Sequence, residues 1–101
     1  MFAGGSRPEV TRWLRNFLTA HAKRVSPRVE VLLDPGDERT GAGYRARLRL
    51  GERTTDALEL EYPDVARNRA SLAWCTALAE RVAGLARALV AGRGSADARA
   101  R

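Results

Sequence analysis

Apolar positions along the chain change their period several times, and each change marks a different element. Val10, Trp13, Leu14, Phe17, Leu18 and Val25 recur at the three- and four-residue spacing of an amphipathic helix and make one broad apolar stripe. Ser6-Arg7-Pro8-Glu9 supplies its start. The serine hydroxyl can accept from a free amide of the first turn, the glutamate three residues later can reach back, and proline is tolerated where no amide is needed. Ser26-Pro27 ends the helix, because proline disfavours helical geometry in the residue before it.

The period then falls to two. Arg28 to Leu33 predicts a strand with Val29, Val31 and Leu33 on one face, and Asp34-Pro35-Gly36-Asp37 predicts a turn in which glycine supplies a positive φ. The loop through Glu38 to Gly43 is expected to be mobile. Tyr44 to Leu50 alternates strictly: Tyr44, Ala46, Leu48 and Leu50 point one way and Arg45, Arg47 and Arg49 the other. A three-residue turn, Gly51-Glu52-Arg53, leads to a third strand with Leu58, Leu60 and Tyr62 inward and Glu59 and Glu61 outward. It also turns Asp56 toward the core, unless that end frays or bulges.

From Pro63 the helical period returns, and one helix is predicted to about Ala91, where Gly92 and Gly94 stop it. Cys75, Leu78, Val82, Leu85 and Leu89 form its apolar stripe. The opposite side carries only small residues: Ala66, Ala70, Ala73, Ala77, Gly84, Ala88 and Ala91. The pattern as a whole predicts an α+β domain of order α-β-β-β-α over residues 7–91, a three-stranded antiparallel sheet with two helices packed on one face. Residues 1–6 are expected to be a flexible N-terminus and 92–101 a disordered basic tail.

Composition agrees with a globular chain: 101 residues, 45 % apolar and 30 % charged. No run approaches a membrane span, and the first residues lack the basic start and apolar stretch of a signal peptide. A single cysteine excludes an internal disulfide, and a single histidine leaves too few ligands for a zinc site. A reducing, cytoplasmic setting without cofactor is therefore expected.

The net charge is +6, which points to a polyanionic partner. An arginine- and alanine-rich composition also follows from codon bias in a GC-rich genome. Position says more. Residues 1–27 carry five bases and one acid, 28–62 six bases and eight acids, and 63–101 seven bases and three acids. The excess is terminal.

The arginine row of the middle strand resembles a nucleic-acid stripe, but its register places Arg45 opposite Glu59, with Glu30 able to approach from the first strand, so neutralisation is expected. On the first helix, Arg12, Arg15 and Lys23 gather opposite the apolar stripe with only Glu9 nearby, and with Arg67 and Arg69 of the second helix they are the candidate phosphate contacts. His21 falls within the apolar stripe and reads as a core histidine, and Cys75 as an inert buried thiol. Asp34, Asp37 and Glu38 match no calcium loop, and Gly41 and Gly43 have no following helix to make a dinucleotide site. No titratable pair is placed for acid–base or nucleophilic work, so no enzyme is expected.

Gly84 is a further signal, because a mid-helix glycine costs about 1 kcal/mol relative to alanine. A small-residue face admits another backbone closely, either the first helix or a second copy of the chain, and the second makes Ala73, Ala77, Gly84 and Ala88 a candidate homodimer interface. A continuous 28-residue helix would also overhang the strands.

In order of elements, residues 8–82 look like the double-stranded-RNA-binding domain. The loop Asp34–Gly43, however, is acidic and lacks a histidine, and the second helix opens with only Arg67 and Arg69 where that family has lysines. The order, with the turn Gly41-Ala42-Gly43 before the second strand, is also similar to a small nucleoid-associated family of bacteria that dimerises. Neither likeness carries residues across. Two expectations remain: a small basic non-enzymatic module that associates with nucleic acid, or a homodimeric assembly protein whose charge serves solubility.

Overall fold

A computed structural model of the chain describes residues 6–36 and 43–92. The expectations for residues 1–5, for most of the loop before the second strand and for 93–101 lie outside these. The elements are α1 (Arg7–Val25), β1 (Glu30–Asp34), β2 (Tyr44–Leu50), β3 (Arg53–Thr54), β4 (Leu58–Leu60), α2 (Tyr62–Asn68) and α3 (Leu72–Val90).

Helix α1 begins as its sequence predicts. Ser6 Oγ accepts from the Glu9 amide at 3.3 Å, and Glu9 Oε1 accepts from the Ser6 amide at 3.1 Å, a reciprocal capping box. Its innermost line is Val10, Leu14, Leu18 and Ala22, all essentially without solvent contact. Trp13, Phe17 and Val25 lie to the side of that line and are only partly covered.

The sheet is antiparallel with β2 in the middle. One side pairs with β1 (Val31 opposite Leu48, Leu33 opposite Ala46), the other with β3 and β4. Tyr44, Ala46 and Leu48 are buried beneath α1 and α3, while Arg45, Arg47 and Arg49 are exposed on the opposite face. The two long helices pack side by side and run in the same direction. Trp13 near the start of α1 lies beside Ala66 and Arg69, and Ser26 beyond its end lies beside Val90 at the end of α3.

The third strand is two pieces, giving four strands where three were expected. Only Gly51 and Glu52 turn the hairpin, Gly51 with φ +64°, so Leu50 pairs with Arg53. That register would set odd-numbered residues of the returning strand facing inward, and Thr55 is accordingly buried. Beyond it the register slips by one: Arg49 pairs with Thr54, yet Arg45 pairs with Glu59. Asp56 and Ala57 together lie across from Arg47, the mark of a β-bulge. The bulge turns Asp56 outward, so it is exposed rather than inward, and restores Leu58 to the core.

The predicted long second helix is likewise two helices. Asn68 Nδ2 donates to Asp64 O at 2.8 Å, and Ser71 caps a new helix by accepting from the Trp74 amide at 3.2 Å. Side-chain bonds to local backbone compete with helix continuation, and here they win across Arg69–Ser71. Tyr62, expected at the end of a strand, opens α2 instead. Helix α3 is therefore 19 residues, about 28 Å long, and the expected overhang of one long rod is absent. Gly92, with φ +80°, closes it. Gly43 is required for a different reason: a Cβ there would lie 2.5 Å from Leu60 O, so only glycine lets the backbone pass β4.

Candidate functional site

Five side chains were expected to meet phosphate. Arg12 and Arg15 stand exposed on the outer face of α1, and among the described residues neither has a carboxylate within ion-pair distance. Lys23 is also exposed, but its Nζ donates to Pro27 O at 2.8 Å and to Val29 O at 3.1 Å. It ties the end of α1 to the start of β1 and neutralises the carbonyl-rich terminus. Arg67 pairs with Asp64 one turn earlier at 3.0 Å. Arg69 is half-buried and lines a shallow depression with Trp13 and Ala66. At about 100° per residue Trp13 points well away from Arg12 and further from Arg15. The structure thus sets the five in two groups rather than one.

The exposed sheet face carries mixed charge. Arg45 Nε lies 3.6 Å from Glu59 Oε2, the pairing its register predicts. Arg49 Nε donates to Glu30 Oε1 at 3.0 Å, and the same carboxylate also meets Arg49 Nη2. These pairs are half-exposed and individually weak, but each carboxylate cancels the local field of its arginine. Arg47 stands between them, opposite Leu32 of β1, which is itself 38 % exposed.

The small-residue face of α3 is open. Ala73 and Ala77 are exposed, Gly84 and Ala88 partly so, and a Cβ added to Gly84 would meet nothing within 4 Å. Across the described residues the neighbours of Gly84 are Asp56, Ala57 and Leu58, which line a depression with it, and α1 contributes nothing there.

What the sequence did not reveal is a groove on the outer surface between α1 and α3. Phe17, His21 and Val25 form one wall and Leu72, Cys75, Ala79 and Ala83 the other, with Arg24, Glu80 and Arg87 at the rim, around about 630 Å³. Leu72 is 82 % exposed, the most solvated large apolar residue described. His21 is not in the core. Ala22 takes that position, and the imidazole lies over Phe17 with ring centroids 4.5 Å apart. Partial burial first, and Arg24 second, lower its pKa from the ordinary value of 6.5. Cys75 is half-buried, its Sγ 3.4 Å from Arg69 O, and is not hydrogen-bonded to His21. The only sequence hint of this groove was Leu72, which lies outside the apolar stripe of its own helix.

Among the described residues no group of three His, Cys, Asp or Glu side chains could hold a metal ion, and no helix is long and apolar enough to cross a membrane. Asp34, the described member of the acidic loop trio, accepts from the Gly36 amide at 3.0 Å, as a turn requires. No known protein family, curated protein or solved structure matches this chain.

Proposed function

We propose that the protein is a small non-catalytic module that associates with the phosphate backbone of nucleic acid, weakly and without sequence preference, through the outer face of α1. One observation carries this reading. Arg12 and Arg15 project from α1 into solvent, and the single acid of that helix, Glu9, is engaged in the capping box at its start. On the sheet, by contrast, Arg45 and Arg49 have carboxylates beside them, with Arg47 between the two pairs. Binding of this kind is electrostatic, releases counterions and falls steeply with salt.

The test is fluorescence anisotropy of a mixed-sequence duplex across a salt series, with wild type and the double variant Arg12→Gln, Arg15→Gln. Lys23 is left intact because it holds the α1–β1 junction. The double variant should bind more weakly and lower the slope of log affinity against log salt by about two, near one for each phosphate it no longer neutralises. Equal binding by both proteins would exclude α1 as the binding face. No binding by wild type at about 50 mM salt would favour the second reading, an assembly protein with no nucleic-acid role, for which the exposed apolar groove speaks.

A further inference from the structure

Helix α3 presents two apolar faces, and the described residues cover only one of them. Leu78, Val82, Ala86 and Leu89 enter the core. About 100° round the helix lies a second line, Leu72, Ala79, Ala83 and Val90, with Leu72 82 % and Val90 51 % exposed. Leu72 and Val90 are eighteen residues apart, roughly five full turns, so they stand on the same side about 27 Å from each other. Between them the side chains toward the groove are small. A helix with bulk at its two ends and alanines in the middle has the shape of half an antiparallel pair.

We propose that a second copy of this chain occupies the groove, α3 against α3 in antiparallel sense about a two-fold axis between Ala79 and Ala83. A two-fold contact requires that if residue i meets residue j, then j meets i. One axis position meets that condition for both pairs: Leu72 lies over Val90 of the second copy, and Ala79 lies over Ala83 of the second copy. The alanines at the axis let the backbones approach closely, while Phe17 and Val25 of α1 flank the incoming helix. Charge is complementary as well. Glu80 and Arg87 project on the same flank of this seam. In the antiparallel pair each Glu80 has the Arg87 of the other copy offset about 7.5 Å along the axis, within reach of an arginine side chain. The interface is thus a different face from the open stripe of Ala73, Ala77, Gly84 and Ala88, and it leaves Arg12 and Arg15 of both copies in solvent.

The experiment is sedimentation equilibrium of the full chain from about 1 to 100 μM, with circular dichroism as the check of folding. Wild type should be dimeric. Leu72→Glu should be a folded monomer, or dimerise roughly a hundredfold more weakly, since it removes apolar contact at both ends of the seam. Leu72 is too exposed in one chain for this change to unfold it. Glu80→Arg should weaken the dimer, and adding Arg87→Glu should restore it. Gly84→Leu should leave it intact. A wild type monomeric to 100 μM overturns the proposal, as does a dimer indifferent to Leu72→Glu. A dimer broken by Gly84→Leu alone overturns it too, by moving the contact to the small-residue face. None of these outcomes depends on nucleic-acid binding, which is measured separately.

Discussion

Leu48 and Thr55 bond to each other twice across the β2–β3 hairpin, once through backbone and once through a side chain. The Thr55 amide donates to Leu48 O at 3.0 Å, and the Leu48 amide donates to Thr55 Oγ1 at 3.1 Å. The hydroxyl takes the place that a carbonyl holds in a regular ladder, and it passes its own proton to Asp56 O at 2.9 Å. Thr55 is the only buried polar residue described, and it sits where the strand register slips.

Thr55→Val keeps the shape and removes the acceptor, leaving the Leu48 amide buried without a partner. That should cost about 1–3 kcal/mol. Thr55→Ser retains the hydroxyl and should cost less. Urea unfolding of the two variants separates the explanations: a larger loss for Thr55→Ser than for Thr55→Val would mean that packing of the methyl group, and not the hydrogen bond, holds the bulge.

Much of this architecture is legible in the residues. The capping box of Ser6 and Glu9, the alternation of Tyr44 to Leu50 and the positive φ of Gly36 and Gly92 each follow from local chemistry, and the structure has all four. Arg45 opposite Glu59 was also readable, though by a different route. A three-residue turn, or a two-residue turn with a bulge, reaches the same pairing at Glu59, and Thr54, Thr55 and Asp56 exchange faces between them. The helix break was not readable, because the apolar spacing runs on through it and Ser71 looks like any polar helix residue. Nor was the groove. Helical spacing shows that Phe17 and His21 share a side of α1 with Leu14, but not how much of that side a neighbouring helix covers.

Glu59→Lys tests the neutralised sheet. The ion pair with Arg45 is half-exposed at both ends, so its loss, together with the new repulsion, should destabilise by less than about 1 kcal/mol. Affinity for the mixed-sequence duplex should rise only by the general effect of two added charges, as it would for a lysine placed on α2. A much larger gain would make the arginine row of β2 a binding surface that Glu59 restrains.

His21 predicts an acid-sensitive stability. Folding lowers its pKa through burial and the neighbouring Arg24, so the unfolded chain takes up a proton more readily than the folded protein. The contribution of the neutral imidazole is therefore complete above about pH 6.5 and is lost as pH falls through the lowered folded value. His21→Phe keeps a ring over Phe17 without the proton. Melting temperature measured from about pH 7.5 to about pH 5 should fall more steeply for wild type than for the variant. Parallel curves would show that His21 titrates as freely folded as unfolded.

Ser71→Ala tests whether the boundary between α2 and α3 depends on its cap. The Trp74 amide loses its acceptor, and a missing N-cap typically costs about 1 kcal/mol. The effect should be local, because the Cys75 amide still bonds to Ser71 O and the core line from Leu78 onward is untouched. Hydrogen exchange should therefore quicken at Trp74 and its neighbours while Val82 and Leu89 keep their protection. The break itself should persist, since Asn68 Nδ2 still occupies Asp64 O. Adding Asn68→Ala frees that carbonyl and removes the second competitor, so the double variant should gain helical signal across Arg69–Ser71 as the two helices join. A double variant with unchanged helix content would show that the break is imposed by the packing of Val65 and Ala66 beneath α1, and not by the polar side chains at the junction.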